Sequence, residues 1–163
     1  MNVGVIIIFH NNASDINPKI FIKNIKTTDN LKMCLVDNES KDDTIDKLMQ
    51  IKEACIETVS IVQIKKKVNH ESAKRAGTRS MLNDYDLKHI GFIDTNILIE
   101  HNYQINDIIG SLCENKDDII EFDKINKSKQ RVKSTLLKSV FSILDYFKSQ
   151  EYLQNDNIQR SIL

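Results

Sequence analysis

The stretch HIGFIDTN, residues 89–96, joins a short apolar run to an abrupt polar end. The apolar half predicts a buried strand over residues 89–93, and the polar triplet begins at Asp94. Open α/β sheets bind their ligands at the carboxyl edge, where such strands end. Side chains at positions i and i+2 of an extended backbone point the same way, so Asp94 and Asn96 can converge on one hard cation or one sugar hydroxyl. A turn capped by these two residues is the alternative, because Asp and Asn favour turns.

Apolar runs that end in polar loops recur along the chain and alternate with segments of helical spacing. The continuous β-branched run at residues 3–9 is typical of a parallel strand that is covered on both faces. Alternating strands and helices predict an α/β fold in which a mostly parallel central sheet lies between helix layers. The 163 residues fit a single domain. The predicted strands are residues 3–9, 31–36, 59–64, 89–93 and 118–122, and the predicted helices are residues 16–25, 45–52, 73–82, 103–112 and 128–147.

The first two predicted strands also end in polar residues. His10 and Asn11 follow the first strand, and Asp37 follows the second. An acidic residue at this place, ahead of a helix, can accept hydrogen bonds from a ribose or a base. The alternative is a local role, in which Ser40 or Asp42 caps the next helix and Asp37 only joins the turn.

The balance of charges indicates which classes of partner the chain is expected to bind. It has 23 basic and 23 acidic residues, which are largely interspersed, so a general affinity for nucleic acid is not expected. The lysine triplet at residues 65–67 predicts a solvated strand end or, alternatively, a phosphate contact. Arg75 and Arg79 share one helix face, where they are either solvated or able to meet a diphosphate.

Cysteine usage and the start of the chain indicate a cytoplasmic protein. Cys34, Cys55 and Cys113 show no paired spacing, so we interpret them as reduced thiols without a zinc site. The apolar run at residues 3–9 is too short for a signal peptide or a transmembrane segment. The 128–147 helix has an apolar stripe and a basic early face, which fits core packing, a dimer seam or a helix lying on a membrane surface. A location at the inner face of a membrane is therefore the alternative to a purely cytoplasmic one.

Several common enzyme motifs are absent from the sequence. It contains neither GxGxxG nor GxxxxGK[ST], which argues against standard dinucleotide binding and against a P-loop ATPase. The four histidines are scattered, and no convincing pair of nucleophile and base is present.

Four segments in order resemble the nucleotide-sugar-binding half of family-2-type glycosyltransferases of the GT-A fold, over residues 3 to about 123. VIIIFHNNAS, residues 5–14, resembles the opening strand of that family and its Asn-bearing loop. CLVDNESKDDT, residues 34–44, closely resembles its VDNGSTDGT-type segment. HESAKRAGTRSM, residues 70–81, resembles the SARNxG helix, and FIDTN, residues 92–96, resembles the FLDxDD segment that carries the DxD motif.

The resemblance implies a metal-assisted transfer of a sugar from a nucleoside-diphosphate sugar to an acceptor hydroxyl, in polysaccharide or glycoconjugate synthesis. Asp37 would receive the base and its ribose, and Asn11 would line the nucleotide pocket. Asp94 and Asn96 would bind Mg²⁺ or Mn²⁺, with reduced affinity because Asn96 offers a neutral amide where the family has a carboxylate. The residues that the resemblance implies at the nucleotide-sugar site are Phe9, His10, Asn11, Asp37, Asn38, Lys74 and Asp94.

The acceptor-binding half of the family is largely missing from this chain. Residues 1–123 would form the nucleotide-sugar-binding core, and residues 124–163 would form a helical C-terminal extension within the same single domain. A homodimer through the 128–147 helix would complete a site for an acceptor glycan or glycoconjugate. The carboxylates near enough in sequence to deprotonate the acceptor hydroxyl are Glu100, Glu121 and Asp123, and nothing in the sequence singles one out.

Two other functions stay open at this point. A catalytically degenerate GT-A domain would bind a nucleotide or a partner protein without turnover, which fits Asn96 and the short C-terminal part. A nucleotidyltransferase-like enzyme would use a similar sheet and a metal, but the Gly-rich, basic first loop of that class is absent from this sequence.

Overall fold

The computed structural model describes residues 2–130 and 139–151. Within these ranges one sheet contains every strand, with the order β3–β2–β1–β4–β5 and parallel pairing between all neighbours. The predicted α/β fold with a parallel central sheet is confirmed. The strands are β1 (Val3–Phe9), β2 (Leu31–Asn38), β3 (Val59–Ile64), β4 (His89–Asp94) and β5 (Phe141–Ser142).

Helices connect the strands and cover both faces of the sheet. The N-cap of the first helix is Asn17, whose side chain accepts a hydrogen bond from the Lys19 N–H. Residues 143–151 are also helical. The other helices are α1 (Pro18–Lys26), α2 (Thr44–Ala54), α3 (His70–Asp84), α4 (Thr95–Glu100), α5 (Ile105–Glu114) and α6 (Lys116–Lys129).

Alternate residues of β1 point into two separate cores, as the two-residue period of a strand requires. Val5 and Ile7 join the core that also holds α1, α2 and α5. Ile6 and Ile8 join the core on the other face, which α3 covers. The apolar run at residues 3–9 is continuous because both of its faces are buried, and the result is the expected arrangement of three layers.

The site edge of the sheet lies beside β1, where the direction of the chain across the sheet reverses. β2 pairs with one side of β1 and β4 with the other, while β3 extends outward from β2. The loops after β1 and β4 lie together at this edge, joined by hydrogen bonds, and we refer to the space between them and the start of α3 as the crevice. Open parallel sheets bind ligands at such a switch point.

The strand predicted at residues 118–122 is wrong, because these residues lie within α6. Asp117 and Asp118 occupy the first turn of this helix, where carboxylates favour the helix dipole. Ile119 and Ile120 are buried in the core that also holds α1, α2 and α5, which we call the first core. A short apolar run does not by itself distinguish a strand from a buried helix segment, and here the helix prevails.

The continuous helix predicted at residues 128–147 is also wrong. α6 ends at Lys129, Phe141–Ser142 pair with β4 as strand β5, and the next helical residues are 143–151. The predicted stripe residues Val132, Leu136 and Leu137 lie outside the described residues. Val140 and Leu144 are buried against the sheet of their own chain, so the described part of the stripe serves core packing.

The C-terminal segment packs closely on β4. A Cβ atom added at Gly91 would lie 2.6 Å from Ile143 Cγ1, so only glycine admits this approach. Part of the segment at 124–163 therefore contributes to the same sheet and core as the rest of the chain. Among the described helices, none combines the length and apolar character that crossing a bilayer requires.

Candidate functional site

The ends of β1, β2 and β4 bring most of the sequence-predicted site residues to one edge of the sheet. Ile8 of β1 is in register with Asp94 of β4, and Phe9 is in register with Asp37 of β2. The two aspartates thus lie on the strands that flank β1, at nearly the same level. Two carboxylates on either side of the switch point are the central feature of this edge.

The loop after β1 is held to the loop after β2 by reciprocal hydrogen bonds. The Asn11 N–H donates to Ser40 Oγ at 2.9 Å, and Asn11 Oδ1 accepts from the Lys41 N–H at 2.7 Å. Two further backbone donors of the first loop are also satisfied, the Asn12 N–H by Thr44 Oγ1 at 2.8 Å and the Ala13 N–H by Asp42 Oδ2 at 3.0 Å. The polar segment at residues 40–44 therefore fixes the first loop, which is a role that the sequence did not reveal.

Asp42 connects this loop to the start of α2. Its Oδ1 accepts hydrogen bonds from the Thr44 N–H at 3.1 Å and from Thr44 Oγ1 at 2.6 Å. Partial burial acts to raise the pKa of Asp42, but the hydrogen bonds from Thr44 and Ala13 outweigh it and leave this pKa below its ordinary value. Asp42 thus bonds the first residue of α2 and also contacts the first loop, while the N-cap position itself is occupied by Asp43.

A second set of hydrogen bonds joins the first loop to the residues that follow β4. Thr95 Oγ1 lies 2.8 Å from the Ile8 carbonyl oxygen and 2.7 Å from Asn12 Oδ1. Asn96 Oδ1 accepts from Asn12 Nδ2 at 3.1 Å, and Asn96 Nδ2 donates to the His10 carbonyl oxygen at 3.3 Å. Asn12 and Thr95 are both buried, so the bond between them is formed away from solvent. Motif reading missed this link through Asn12 and Thr95, although both residues lie inside the quoted motifs.

Asp94 has one oxygen in a helix cap and one that faces the crevice. Oδ1 accepts hydrogen bonds from the backbone N–H groups of Asn96 and Ile97, at 3.1 and 3.4 Å, and so caps α4. Oδ2 lies 4.0 Å from His70 Nδ1 of α3. The capping alternative for Asp94 is thus correct for one oxygen, and the other remains directed toward a neighbouring element.

The expected cation pair of Asp94 and Asn96 does not fit this arrangement. Both ends of the Asn96 amide bond the first loop, through Asn12 and His10. The Asp94 oxygen nearest Asn96 caps a helix. In the described ranges, no cluster of three or more His, Cys, Asp or Glu residues could hold a metal ion. We therefore interpret Asn96 as a residue that links the loop after β1 to the end of β4 through hydrogen bonds.

The remaining predicted nucleotide-site residues divide into buried supports and accessible groups. Phe9 is fully buried and packs against Phe21, with ring centroids 6.4 Å apart. The Asn38 amide makes two hydrogen bonds with the Val68 backbone, at 2.8 and 3.0 Å, and so fixes the loop after β3. Asp37 is only 1% exposed and accepts a hydrogen bond from the Ser40 N–H at 3.3 Å.

His10 and Asn11 are the accessible members of the first loop. His10 Nδ1 lies 2.8 Å from the Asn38 carbonyl oxygen, which can only accept, so Nδ1 carries the hydrogen. His10 Nε2 is then an acceptor and lies 3.3 Å from Asn11 Nδ2. Asn11 adopts a left-handed backbone with a φ of 55°, which Asn tolerates better than most residues.

Glu39 stands where the resembled family segment has glycine, and its backbone is left-handed, with a φ of 60°. Such a backbone is costly for a residue with a Cβ. The carboxylate contacts Lys41 Nζ at 3.0 Å and accepts from the Lys67 N–H at 3.0 Å. These hydrogen bonds lower the pKa of Glu39 and tie the lysine triplet at residues 65–67 to this loop.

The first turn of α3 forms the wall of the crevice opposite the first loop. Lys74 Nζ lies 2.8 Å from Glu71 Oε1 and 4.5 Å from the centroid of the Phe92 ring. The hydrogen bond from Lys74 is the largest of the effects that lower the pKa of Glu71. Glu71 Oε1 also lies 2.9 Å from Nε2 of His70, whose ring packs edge-on against Phe92 at 5.9 Å. Lys74 is thus engaged within the wall, and His70 and Glu71 join it as site residues that the sequence did not indicate.

The three candidate bases lie in different places. Glu100 is exposed at the end of α4, which starts at the site edge. Glu121 is exposed on α6 and contacts Lys124 at 3.5 Å. Asp123 is buried and contacts His89 Nδ1 at 2.7 Å and Lys127 Nζ at 2.6 Å.

The contact between Asp123 and His89 places this carboxylate at the wrong end of the sheet for the predicted role. His89 is the first residue of β4 and Asp94 is the last. A six-residue strand spans on the order of 16 Å. We therefore interpret Asp123 as the partner of a buried histidine, and Glu100 is the predicted carboxylate whose helix starts at the site.

A separate groove of about 440 Å³ lies between α5 and the helical residues 143–151. Tyr103 at its rim donates a hydrogen bond to Glu151 at 2.7 Å. Burial, together with this carboxylate, raises the pKa of Tyr103 to about 12. None of the residues predicted at the nucleotide site lines this groove.

Comparison with known proteins gives a likeness in structure. No protein-family model matches the sequence, and no curated protein matches it. The mannosyltransferase PcManGT from Pyrobaculum calidifontis, solved in complex with GDP-Man and Mn²⁺, is 22% identical over a match that covers 49% of this chain and 24% of that protein, with a TM-score of 0.42. The S. aureus TarS 1-349 structure is 13% identical over 59% of this chain and 28% of its own, with a TM-score of 0.46. A further S. aureus TarS structure is 12% identical over 59% of this chain and 17% of its own, with a TM-score of 0.44.

The chain thus spans less than a third of the length of each of these structures. At such identities and TM-scores the likeness assigns neither an activity nor a ligand to this chain. What is shown is the fold, a parallel sheet with helices on both faces and a switch point beside its first strand.

Proposed function

We propose that this chain binds a nucleoside-diphosphate sugar at the carboxyl edge of its sheet and transfers the sugar to a hydroxyl of an acceptor glycan or glycoconjugate. One observation carries the proposal. Asp37 and Asp94 flank β1 at nearly the same level, at the switch point of a parallel sheet. Carboxylates at this place accept hydrogen bonds from the hydroxyl and N–H groups of a nucleotide.

Each aspartate has a distinct task in the proposed complex. Asp37 is buried, and its hydrogen bond to the Ser40 N–H is long, at 3.3 Å. A base or ribose donor replaces the Ser40 N–H as the partner of this carboxylate when the ligand is bound. Asp94 Oδ2 faces the crevice while Oδ1 caps α4, so its orientation is fixed before the ligand arrives. Prior orientation of this kind reduces the entropy lost on binding.

The proposed reaction exchanges one bond at the anomeric carbon of the donor sugar. The acceptor hydroxyl attacks that carbon, the bond to the diphosphate oxygen breaks, and a carboxylate takes the hydroxyl proton. Glu100 is the candidate for this base, because it lies on α4, the helix that begins directly after Asp94. The cytoplasmic location and the homodimer stay predictions.

A thermal-shift panel tests the donor site. The full chain is melted with UDP, GDP, CDP, TDP and their sugars, each with and without Mn²⁺. A ligand that binds only the native state raises the melting temperature. At a ligand concentration of 100 times Kd, it adds about 2.7 kcal/mol to the free energy of unfolding. We expect one nucleotide class to raise it, and Asp94→Asn, which preserves the helix cap, to remove most of the shift.

The control for this panel is Asp117→Asn, a change of the same chemistry on α6 at a side chain that is 91% exposed. It should leave the nucleotide shift unchanged. If no nucleotide or sugar nucleotide raises the melting temperature of the wild-type chain, the donor-binding role of Asp37 and Asp94 is refuted.

A binding module without turnover is the second candidate function. The observation that favours it is the engagement of Asn96, where the resembled family has a metal-binding carboxylate, in hydrogen bonds at both ends of its amide. Such a module would show the nucleotide shift but would neither hydrolyse nor transfer any donor sugar. The experiment that separates the two functions measures release of the nucleoside diphosphate from the donor that gives the largest shift. A transferase releases it, whereas a binding module does not.

A further inference from the structure

His70 Nδ1 and Asp94 Oδ2 face each other across the crevice at 4.0 Å. The imidazole side chain is 38% exposed as a whole, yet its Nδ1 atom is buried and has no hydrogen-bond partner among the described residues. A buried polar atom without a partner is unusual and calls for a ligand or another explanation. This pair shares Asp94 with the pair that the sequence suggested, but its second member comes from α3 instead of from the residues after β4.

The other ring nitrogen determines the chemistry of Nδ1. His70 Nε2 lies 2.9 Å from Glu71 Oε1, and a carboxylate only accepts, so Nε2 carries the hydrogen. In the neutral ring, Nδ1 then presents a lone pair toward Asp94 Oδ2. Two acceptors face one another with no donor between them, which is the arrangement that a cation satisfies.

We propose that His70 Nδ1 and Asp94 Oδ2 bind a divalent cation of the Mn²⁺ type. Metal-bound histidines almost always donate their second ring N–H to a carboxylate, and Glu71 provides that carboxylate here. Lys74 holds Glu71 in turn, at 2.8 Å. Imidazole suits first-row transition ions such as Zn²⁺ and Ni²⁺, whereas carboxylate oxygens suit Mn²⁺. A mixed pair of one imidazole and one carboxylate therefore fits a first-row transition ion better than Mg²⁺ or Ca²⁺, which take oxygen ligands.

The separation of the two atoms suits one shared ion. Metal–ligand distances of about 2.1 Å place two ligands of one ion about 3 to 4.2 Å apart, depending on the angle between them. The observed 4.0 Å lies within that range. Two protein ligands leave positions for phosphate oxygens, so the diphosphate of the nucleotide would complete the coordination. This last step rests on the proposed function, whereas the His70 and Asp94 pair does not.

Electron paramagnetic resonance of Mn²⁺ tests the site without any turnover. Mn²⁺ is titrated into the full chain, alone and with each nucleoside diphosphate of the panel, and the loss of the free-ion signal measures binding. Pulsed measurements detect a nitrogen nucleus bonded to Mn²⁺. We expect a directly bound nitrogen in the wild type that is absent in His70→Ala and in His70→Gln, with Mn²⁺ affinity lowered at least about tenfold.

His101→Ala is the matched control, since His101 is exposed at the end of α4 and its Nε2 lies 3.2 Å from Lys148 Nζ. It should keep both the affinity and the nitrogen signal. Melting curves confirm that each variant is folded, and two different replacements of His70 guard against a single variant that fails to fold.

The outcomes separate this inference from the proposed function. Mn²⁺ binding with a bonded nitrogen but no nucleotide binding supports the cation site and refutes the donor site. Nucleotide binding that is equal with and without Mn²⁺, and unchanged in His70→Ala, supports the donor site and overturns the cation site. Mn²⁺ binding that survives both replacements of His70 also overturns it.

Discussion

Asn96 Oδ1 accepts a hydrogen bond from Asn12 Nδ2 at 3.1 Å, across 84 residues of sequence. This bond joins the end of β4 to the loop after β1, at the position where the resembled family has a metal-binding carboxylate. The amide is well suited to the position because it accepts from Asn12 and donates to the His10 carbonyl oxygen. A carboxylate could accept from Asn12 but could not donate to His10.

Loss of the Asn12 side chain should destabilise the fold. Asn12 is 1% exposed, and its removal leaves the Thr95 hydroxyl, the His10 N–H and the Asn96 amide short of partners. Unsatisfied buried groups cost about 1–3 kcal/mol each, so we expect Asn12→Ala to cost about 2–3 kcal/mol of unfolding free energy after local relaxation. Urea denaturation measures this change.

Asn83→Ala is the control for Asn12→Ala, because Asn83 is an exposed residue near the end of α3. Its effect should stay within about 0.5 kcal/mol. Equal effects of the two changes would show that the hydrogen bonds of Asn12 do not stabilise the folded chain.

Asp42 should give stability that depends on pH. Its pKa in the folded chain is lowered below the ordinary 3.8, so the charged form is favoured by folding. This contribution is fully present above the ordinary pKa and disappears as the pH falls through the lowered folded value. Asp42→Asn should cost no more than about 0.5–1 kcal/mol at pH 7, because Asp42 is exposed and water screens its charge.

The stability difference between Asp42→Asn and the wild type should therefore shrink as the pH is lowered from 5 to below 3. Melting temperatures across that range measure it. The neighbouring Asp43 makes no side-chain hydrogen bond at the helix cap, so Asp43→Asn is the matched control and should show no such convergence. A difference that is constant with pH would contradict the assigned role of the Asp42 charge.

Asp123 should matter for stability rather than for ligand binding. It is 1% exposed and pairs with the buried His89, and removal of one member of a buried pair typically costs about 3–5 kcal/mol. We expect Asp123→Ala to approach that cost, with nucleotide shifts retained under conditions where the variant is folded. Chemical denaturation and the nucleotide panel provide the two measurements.

Glu121→Ala on the same helix should change stability by less than about 0.5 kcal/mol, because its side chain is 61% exposed and its contact with Lys124 is a surface pair. A folded Asp123→Ala protein that loses nucleotide binding, beside an unaffected Glu121→Ala protein, would argue against a purely structural Asp123.

Two helical glycines should respond in opposite ways to the same substitution. A Cβ at Gly77 of α3 would lie 2.6 Å from Ile6 Cγ2 and 3.0 Å from Val36 Cγ2. Since β-branched side chains in strands have little freedom to move, Gly77→Ala should destabilise by about 1–3 kcal/mol despite the better helix propensity of alanine.

A Cβ at Gly110 of α5 would meet its nearest atom, Asn24 Nδ2, at 3.8 Å, an ordinary contact. Gly110→Ala should therefore stabilise the chain by up to about 1 kcal/mol through helix propensity alone. Thermal melts of the pair separate packing from propensity, and stabilisation by both changes would mean that α3 lies farther from the sheet than described.

The sequence by itself determined the four longer strands of the sheet and its site edge. The β-branched run at residues 3–9 predicts a strand buried on both faces, and the polar residues after each of the first, second and fourth strands predict where these strands end. Such inferences need only local patterns, because the period of side-chain burial follows from backbone geometry. The same local patterns single out Asp37 and Asp94 as strand-end carboxylates.

Tertiary structure alone decided which polar groups at that edge are free. Asn96 was predicted as a cation ligand, yet Asn12 and His10 occupy its amide. His70, which precedes Asp94 by 24 residues (94 − 70), faces that carboxylate from α3. Hydrogen-bond partners so distant in sequence leave no periodic signal. Likewise, the short apolar run at residues 118–122 suits a strand and a helix equally well, and its packing against the first core selected the helix.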